Sequence, residues 1–371
     1  MKVLFLTNIP SPYRIDFFNE LGRYCDLTVW FEAKNEANRE WKVEGLGDRF
    51  SYAFLPGFTI GLDRHVNWSI LHALSREPFD VYIMGCYSSP TEMLAIGWLK
   101  RKKKKFILNS DGGFPATDRW LLRKLKTSLI SSANLWLSSG SNCTRYLMEY
   151  GAKREQIVEY PLSSVKLEER ELAALPEEER AALKQEIGLK ETVILAIGQF
   201  IPRKGFDILL DAFGKMNRDG VSLLLIGGGP ERVVYEEKIR DQGIPNVIIK
   251  DFMHKQELFR YWKLADVFVM PTRYDIWGLV LNEALTLGLP IVSTTMAGAA
   301  HDLIEEGGNG FLVPPDNVQE LADRCTRLTD DAALRRAYGE RSLQIAKRYR
   351  MERMVEKHIE VLNEWYKEGQ G

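Results

Sequence analysis

Cysteine is scarce in this sequence of 371 residues, and the few that occur are far apart. The four cysteines are Cys25, Cys86, Cys143 and Cys325, and no two of them form a Cys-x-x-Cys pair. This spacing argues against a structural zinc site and against a fold held by disulfides. It is typical of a protein from a reducing compartment.

Long apolar runs are also lacking. No run approaches the ~20 residues that a membrane-spanning helix needs. The segment MKVLFLTNIP carries one lysine and a short apolar run before its proline, which predicts a first β-strand rather than a signal peptide. We therefore expect a cytoplasmic protein, with peripheral attachment to the cytoplasmic membrane face left open.

Two further motifs are missing. A Gly-x-Gly-x-x-Gly turn does not follow the first strand, where the chain instead reads TNIPSP from Thr7 to Pro12. This excludes the usual NAD-dependent dehydrogenase. No Asp-x-Asp pair stands in a convincing loop, so we expect neither a divalent metal ion nor a cofactor.

The charge is unevenly distributed although the formal net charge is only −1. Residues 1–165 carry 22 Lys and Arg against 17 Asp and Glu, and the other residues carry 28 against 34. The basic run Lys102–Lys105 lacks interleaved aromatic residues, so nucleic acid is not the expected partner. The segment Arg119–Ile130 predicts a basic helix with Trp120 and Leu121. Such a helix lies either on an anionic membrane or against a core, and both alternatives remain open.

The chain alternates short apolar strands with helix-length segments, which predicts an α/β fold of two doubly wound parallel-sheet domains facing a cleft. A charged, strand-free stretch at residues 163–190 predicts the connection. We expect domains at 1–165 and 166–349, with a last helix from about 350 to 371 packing back on the first domain. The predicted strands are Lys2–Thr7, Leu27–Trp30, Ser51–Leu55, Val81–Met84, Phe106–Leu108, Leu135–Ser138, Ile157–Tyr160, Val193–Ile197, Ser222–Ile226, Val247–Ile249, Val267–Met270, Ile291–Ser293 and Gly310–Val313.

The most informative stretch is PTRYDIWGLVLNEA, residues 271–284. A buried strand ends, Asp275 occupies the loop that follows, and Gly278 opens a predicted helix whose first amides, including those of Leu279 and Val280, suit a phosphate. Glu283 lies about one turn further on, where a carboxylate can hold two ribose hydroxyls. The alternative is that Asp275 caps the helix and Glu283 is an exposed acid.

A second stretch, VILAIGQFIPRKG at residues 193–205, runs from a strand through Gly198 to two adjacent cations, Arg203 and Lys204. Cations at this position neutralise a diphosphate as it leaves. The alternative is an ordinary exposed basic turn. The Arg203-Lys204 pair lies between a predicted strand and a predicted helix, and the acidic motif accompanies it. This context favours a role in binding the diphosphate.

These two stretches, followed by Gly288-Leu289-Pro290-Ile291, resemble the retaining glycosyltransferases of family 4, which have the GT-B fold. The family signature is Glu-x7-Glu, and here Asp275 stands for the first acid. The resemblance implies that Asp275 contacts the donor sugar, Glu283 holds the ribose, and Arg203 and Lys204 neutralise the diphosphate. Trp277 is a further candidate to bind the donor. Gln199 stands where the family has an arginine.

Further matches lie around the same predicted site. Gly227 and Gly229 belong to a glycine-rich turn that matches the family's Gly-x-Gly-Pro. Phe252 and Met253 follow the strand whose loop reads the nucleobase in the family, although the usual glycine is absent. The resemblance implies a nucleotide-diphosphate sugar as co-substrate, with a UDP-sugar favoured over a GDP-sugar.

The N-terminal half is expected to bind the acceptor, by elimination. Arg14 follows the first strand and is a candidate to contact phosphate, the alternative being a surface salt bridge. Asp111 follows another strand, where relatives carry a histidine, and is a candidate to orient the acceptor hydroxyl. The alternative is an Asp-Gly turn.

The resemblance implies transfer of a hexose-type sugar with retention of configuration to a glycan, glycolipid or small-molecule acceptor, as in cell-envelope or polysaccharide biosynthesis. Attack from the face that the diphosphate leaves is the expected route, because no nucleophile is evident. Asp275, Arg203, Lys204 and Asp111 are the expected catalytic residues. A sugar-nucleotide epimerase and a non-catalytic sugar-nucleotide-binding relative remain alternatives.

Overall fold

The computed structural model describes residues 1–36, 44–115, 117–166 and 176–370, with the side chains at 256 and 368–370 left aside. The predicted connection at 163–190 therefore lies partly outside the described residues. The chain divides into two compact units, residues 1–163 with 351–371 and residues 164–350.

The first unit is built on a parallel sheet of seven strands in the order β3-β2-β1-β6-β7-β8-β9. A small antiparallel hairpin, β4–β5, follows β3. The elements are β1 Lys2–Thr7, α1 Pro12–Leu21, β2 Asp26–Phe31, β3 Ser51–Phe54, β4 Phe58–Ile60, β5 Arg64–Val66, α2 Ser69–Arg76, β6 Val81–Met84, α3 Pro90–Arg101, β7 Ile107–Ser110, α4 Trp120–Ile130, β8 Leu135–Ser138, α5 Ser141–Glu149, β9 Ile157–Glu159 and, at the C-terminus, α14 Met351–Gln370.

The central strands of this sheet are mostly apolar and are buried along most of their length, as in parallel sheets covered by helices on both faces. In β1, every residue from Val3 to Thr7 is buried. Helix α3 begins with a capping arrangement: the Ser89 hydroxyl accepts a hydrogen bond of 3.0 Å from the Glu92 amide, and Pro90 takes the first helical position. This cap fixes the buried Glu92 side chain under the end of β6.

The second unit is built on a parallel sheet of six strands in the order β12-β11-β10-β13-β14-β15, which is the Rossmann order. Its helices pack apolar faces on this sheet, as α7 does with Leu209, Leu210 and Phe213. The elements are α6 Glu177–Ile187, β10 Thr192–Ile197, α7 Phe206–Met216, β11 Val221–Ile226, α8 Arg232–Asp241, β12 Val247–Lys250, α9 Lys255–Trp262, β13 Val267–Met270, α10 Val280–Thr286, β14 Ile291–Thr294, α11 Ala300–Leu303, β15 Gly310–Val313, α12 Val318–Asp330 and α13 Ala332–Ala346.

The α/β class with two Rossmann-like parallel sheets is confirmed. The hairpin β4–β5 was not predicted, since its strands have three residues each and Phe58 and Ile60 are exposed. Helix α10 begins at Val280, so the expectation that Gly278 opens it is wrong. The φ of Gly278 is +97°, outside the right-handed helical region.

Candidate functional site

The second unit has its topological switch point between β10 and β13, where the strand order reverses. In open α/β sheets, ligands bind beside the carboxyl ends of the strands at this point. The loop after β10 carries Arg203 and Lys204 in a single 3₁₀ turn, Pro202–Lys204. The loop after β13 carries Asp275. The two predicted motifs thus meet at the position where the topology favours a ligand.

Lys204 and Asp275 are in direct contact in this structure. The Lys204 Nζ forms an ion pair and a hydrogen bond with Asp275 Oδ2. Arg203 Nη1 lies 3.8 Å from the other carboxylate oxygen and donates to the Tyr274 carbonyl at 2.7 Å. The side chains of Lys204 and Asp275 are 18% and 15% exposed, against 40% for Arg203. Two cations therefore surround one carboxylate at the edge of the sheet.

Gly205 allows these two loops to approach each other. Its φ is +70°, and a Cβ placed on it would lie 2.1 Å from the Pro271 carbonyl oxygen. Any other residue would push the 3₁₀ turn away from the loop after β13. The carbonyl of Arg203 completes the contact by accepting from the Arg273 amide at 2.9 Å and from the Thr272 hydroxyl at 3.0 Å.

Arg273 holds the loop from the opposite side. Its guanidinium donates to both oxygens of Asp207 at 2.8 and 2.6 Å and to Asp316 at 2.7 Å. A planar guanidinium with bidentate pairing fixes orientation as well as distance. We did not anticipate this role, although the Arg273-x-Asp275 spacing places the two side chains side by side on the loop.

The start of α10 lies beside the same loop. In the described part of the chain, the amides of Gly278, Leu279 and Val280 donate no hydrogen bond. Glu283 accepts a hydrogen bond of 3.3 Å from the Ser164 hydroxyl. Trp277 is buried rather than lining open space, and its indole nitrogen donates to Asn282 at 3.0 Å.

The glycine turns lie next to one another after β10 and β11. A Cβ on Gly227 would lie 1.9 Å from the carbonyl oxygen of Gly198, so the backbones are in close contact. Gly229 follows with a φ of +144°. Phe252, after β12, is 40% exposed and meets the His254 ring edge-on, and Met253 beside it is half-buried.

In the first unit the structure brings Arg14 and Asp111 together. Arg14 Nη2 lies 2.6 Å from Asp111 Oδ1 and 2.5 Å from Oδ2. The Arg14 side chain is 4% exposed and that of Asp111 is 28% exposed. The alternative of a surface salt bridge is therefore wrong, because the arginine is buried. The Tyr13 and Tyr160 hydroxyls also donate to this carboxylate, both at 2.9 Å.

The buried pair continues into the C-terminal helix. Asn109 donates to the Tyr160 hydroxyl at 3.2 Å, and its side-chain oxygen lies 3.1 Å from His358 Nε2. Burial lowers the pKa of His358 to about 4, so the ring is neutral near pH 7. Tyr13, Asn109, Tyr160 and His358 are not among the residues predicted from the sequence. Only Tyr13 and Asn109 carry a local signal, because they lie next to Arg14 and close to Asp111 in the sequence.

Part of the chain matches a family of known enzymes. Residues 177–344 match the family model described as glycosyl transferases group 1. The chain is 32% identical over 168 residues to alpha-D-kanosaminyltransferase of Streptomyces kanamyceticus, covering 44% of this chain and 43% of that protein. It is 31% identical over 163 residues to the GDP-mannose-dependent alpha-(1-6)-phosphatidylinositol monomannoside mannosyltransferase of Mycobacterium tuberculosis, covering 41% and 42%. The chain thus spans less than half the length of these relatives.

The similarity to solved structures extends over nearly the whole chain, further than the sequence similarity to these relatives. The crystal structure of Anabaena HepE in complex with UDP superposes with a TM-score of 0.79 at 16% identity, covering 98% of this chain and all of that one. A second structure of the same protein holds UDP-glucose. At this identity the likeness concerns the fold, and the GT-B fold class is confirmed.

Proposed function

We propose that this protein is a retaining glycosyltransferase of family 4 that uses a nucleotide-diphosphate sugar. It transfers a hexose-type sugar to a glycan, glycolipid or small-molecule acceptor in cell-envelope or polysaccharide biosynthesis. The observation that carries the proposal is the Lys204–Asp275 contact at the switch point of the second sheet, inside the segment that matches glycosyl transferases group 1.

The donor diphosphate displaces Asp275 from Lys204. Both cations then face the phosphates, and the freed Asp275 carboxylate accepts hydrogen bonds from the sugar hydroxyls. Arg203 and Lys204 stabilise the charge that develops on the leaving group, where a preorganised donor contributes most. Glu283 turns from Ser164 to the ribose, and the amides of residues 278–280 are available to a phosphate oxygen.

The nucleobase lies against the loop after β12 in this proposal. Phe252 offers an exposed ring on which a base can stack, and Met253 is its half-buried neighbour. Because Gly198, Gly227 and Gly229 have no side chains, the backbone at these turns can approach the nucleotide closely. We favour a UDP-sugar over a GDP-sugar, in line with the UDP and UDP-glucose held by HepE.

Donor binding tests this assignment directly. We would measure the melting temperature of the protein with UDP-glucose and a panel of other UDP- and GDP-sugars. A stabilising donor should lose most of its effect in Lys204→Gln and in Glu283→Gln, since each substitution removes a charged contact. Lys190→Gln, on an exposed residue of the same unit, is the matched control. Unchanged donor binding in both site variants would refute the site.

On the acceptor side, Asp111 is the group that orients the attacking hydroxyl. The hydroxyl attacks the anomeric carbon from the face that the diphosphate leaves, and the diphosphate takes its proton. The anomeric configuration is thereby retained. Arg14 holds Asp111 in place through its Nη2. Its second terminal nitrogen, Nη1, is buried and has no hydrogen-bond partner among the described residues.

Two other functions predict different products. An epimerase would convert the nucleotide sugar without an acceptor, so a new epimer after incubation with donor alone would replace our proposal. A non-catalytic relative would bind the nucleotide sugar and release no nucleotide in any acceptor mixture. Retention is read from the anomeric configuration of the product by NMR spectroscopy.

Helix α4 supports peripheral attachment to an anionic membrane. Trp120, Leu121, Leu122 and Leu125 are 44% to 64% exposed, and Lys124 lies 4.5 Å from the Trp120 ring. No helix of the described residues is long and apolar enough to cross a bilayer. We expect sedimentation with vesicles containing phosphatidylglycerol, lost in Leu121→Glu and weakened by salt. Equal binding to neutral vesicles would contradict this part of the proposal.

A further inference from the structure

Three loops of the second unit meet at one arginine side chain. Arg273, after β13, donates to both carboxylate oxygens of Asp207 at 2.8 and 2.6 Å and to Asp316 at 2.7 Å. Asp207 lies in the first turn of α7, after the loop that follows β10, and Asp316 follows β15. Arg273 also donates to the Pro202 carbonyl at 2.5 Å. We call Arg273, Asp207 and Asp316 the arginine clamp.

The clamp holds the turn that carries Lys204 on both of its sides. Pro202 is the first residue of this 3₁₀ turn, and Asp207 lies three residues beyond Lys204 in the chain. The backbone amide of Arg273 adds a contact of 2.9 Å to the carbonyl of Arg203, inside the turn. The position of Lys204 is thereby fixed relative to the loop after β13.

The backbone of Asp275, on the loop after β13, is held independently of the clamp. Its amide donates to the Met296 carbonyl at 2.9 Å, and its carbonyl accepts from the Gly298 amide at 2.9 Å. These contacts form a short parallel bridge to the residues after β14. With this backbone fixed, a diphosphate that replaces Asp275 at Lys204 requires an exchange of side-chain contacts and no movement of the loop.

The guanidinium group of Arg273 has little capacity left for a phosphate. A guanidinium has five N–H donors, and four of them are engaged here. Nε donates to Asp316, Nη1 donates to Pro202 and Asp207, and Nη2 donates to Asp207. Two carboxylates also compensate its charge. Arg273 therefore acts on a bound nucleotide through the loops that it holds.

The third arm of the clamp is anchored at the start of a helix. Asp316 has a φ of +62°, in the left-handed region that residues other than glycine seldom adopt. Its neighbour Asn317 caps α12 by accepting a hydrogen bond of 3.1 Å from the Glu320 amide. The cap and the contact with Arg273 together fix the Asp316 carboxylate, so the clamp joins elements that are themselves well held.

We propose that Arg273 is a positioning residue of the donor site, which holds Lys204 where it meets the diphosphate. This inference rests on the proposed function and adds a residue outside the predicted site. Arg273 acts through its geometry, because bidentate pairing with Asp207 fixes direction as well as distance. A lysine at this position would keep the charge and lose the planar pairing.

Nucleotide binding to Arg273→Lys tests the role of the planar pairing. Calorimetric titration with UDP and with GDP identifies the nucleotide that the wild-type protein binds, and we expect Arg273→Lys to bind it about tenfold more weakly. Arg218→Lys is the matched control, because Arg218 pairs with both oxygens of Asp330 at 3.1 and 2.8 Å on the surface of the same unit. The control should bind within about twofold of wild type. An affinity that is unchanged in Arg273→Lys would overturn the inference.

A second background separates positioning from a general loss of order. In Lys204→Gln, the charge that the clamp positions is absent, so the further change Arg273→Lys should weaken nucleotide binding by less than about twofold. These titrations use millimolar nucleotide, since Lys204→Gln binds weakly. A role of Arg273 that does not act through Lys204 would give the same loss in both backgrounds, and that result would overturn the inference.

The same titrations distinguish this inference from the proposed function. If neither UDP nor GDP binds the wild-type protein, the proposed function fails. If one of them binds wild type and Arg273→Lys equally, the positioning role alone fails. Melting temperatures without nucleotide show that each variant is folded at the temperature of the titration. Asp316→Asn, which removes the charge of one arm of the clamp, takes the place of Arg273→Lys if that variant does not fold.

Discussion

Replacing Asp111 by asparagine removes the charge that compensates a buried arginine. Arg14 is 4% exposed, and its Nη2 contacts both oxygens of Asp111. Removing one partner of a buried ion pair costs about 3–5 kcal/mol because the other charge stays buried and unpaired. The Asp111 side chain is 28% exposed, so water replaces part of the lost contact and the lower end of this range applies. We therefore expect a loss of about 3 kcal/mol.

Calorimetry is the assay, because the two units need not unfold together. At about 2–4 °C per kcal/mol for a unit of this size, the melting transition of the first unit should fall by about 6–12 °C. The transition of the second unit should not move. Arg14→Met combined with Asp111→Asn should recover stability, since the orphaned charge is gone. A single variant within 2 °C of wild type, roughly 1 kcal/mol or less, would refute the buried-pair reasoning.

Three more predictions concern buried titratable groups. His358 has a pKa lowered to about 4, below the 6.5 of an unfolded chain, so stability should fall by about 3 kcal/mol as the pH drops from 6.5 to 4. His358→Gln should flatten this fall, and an unchanged profile would contradict the assignment. Burial raises the pKa of Glu32 to about 9, so the folded protein loses stability as the pH rises above 4.5, the value of the unfolded chain. Urea unfolding at pH 8 should therefore show that Glu32→Gln is more stable than wild type. Equal stability at pH 8 would contradict it. Burial and Glu92 raise the pKa of Cys86, so iodoacetamide at pH 8 should modify it more slowly than in the urea-unfolded chain, as peptide mass spectrometry can show. Equal rates would contradict it.

The parallel sheets were predictable because the central strands are mostly apolar and are separated by helix-length segments. Lys204 and Asp275 could both be selected from the sequence because each lies in the loop that follows a predicted strand, and the strands of a parallel sheet end at one edge. Their mutual contact was not predictable. The sequence places them 71 residues apart, and only the Rossmann strand order makes β10 and β13 neighbours.

The buried residues Glu32, Glu92 and His358 carry no local signal in the sequence. Glu32 follows a strand and Glu92 begins a helix, which are positions where acids are usually exposed. His358 lies in an amphipathic helix, 249 residues from its partner Asn109. Burial of such residues follows from tertiary packing alone. The hairpin β4–β5 was not predicted because its strands have only three residues each and β4 is exposed throughout, so the two strands give no recognisable alternating pattern.

Release of nucleotide diphosphate from a nucleotide sugar tests the central claim most directly. We would incubate the protein with UDP- and GDP-sugars and a mixture of glycan, glycolipid and small-molecule acceptors, and measure the free nucleotide. We predict that one donor is consumed by the wild-type protein, that Lys204→Gln lowers the rate about a hundredfold, and that Lys190→Gln keeps it. Equal rates in Lys204→Gln and wild type, or no release from any donor, would contradict the account.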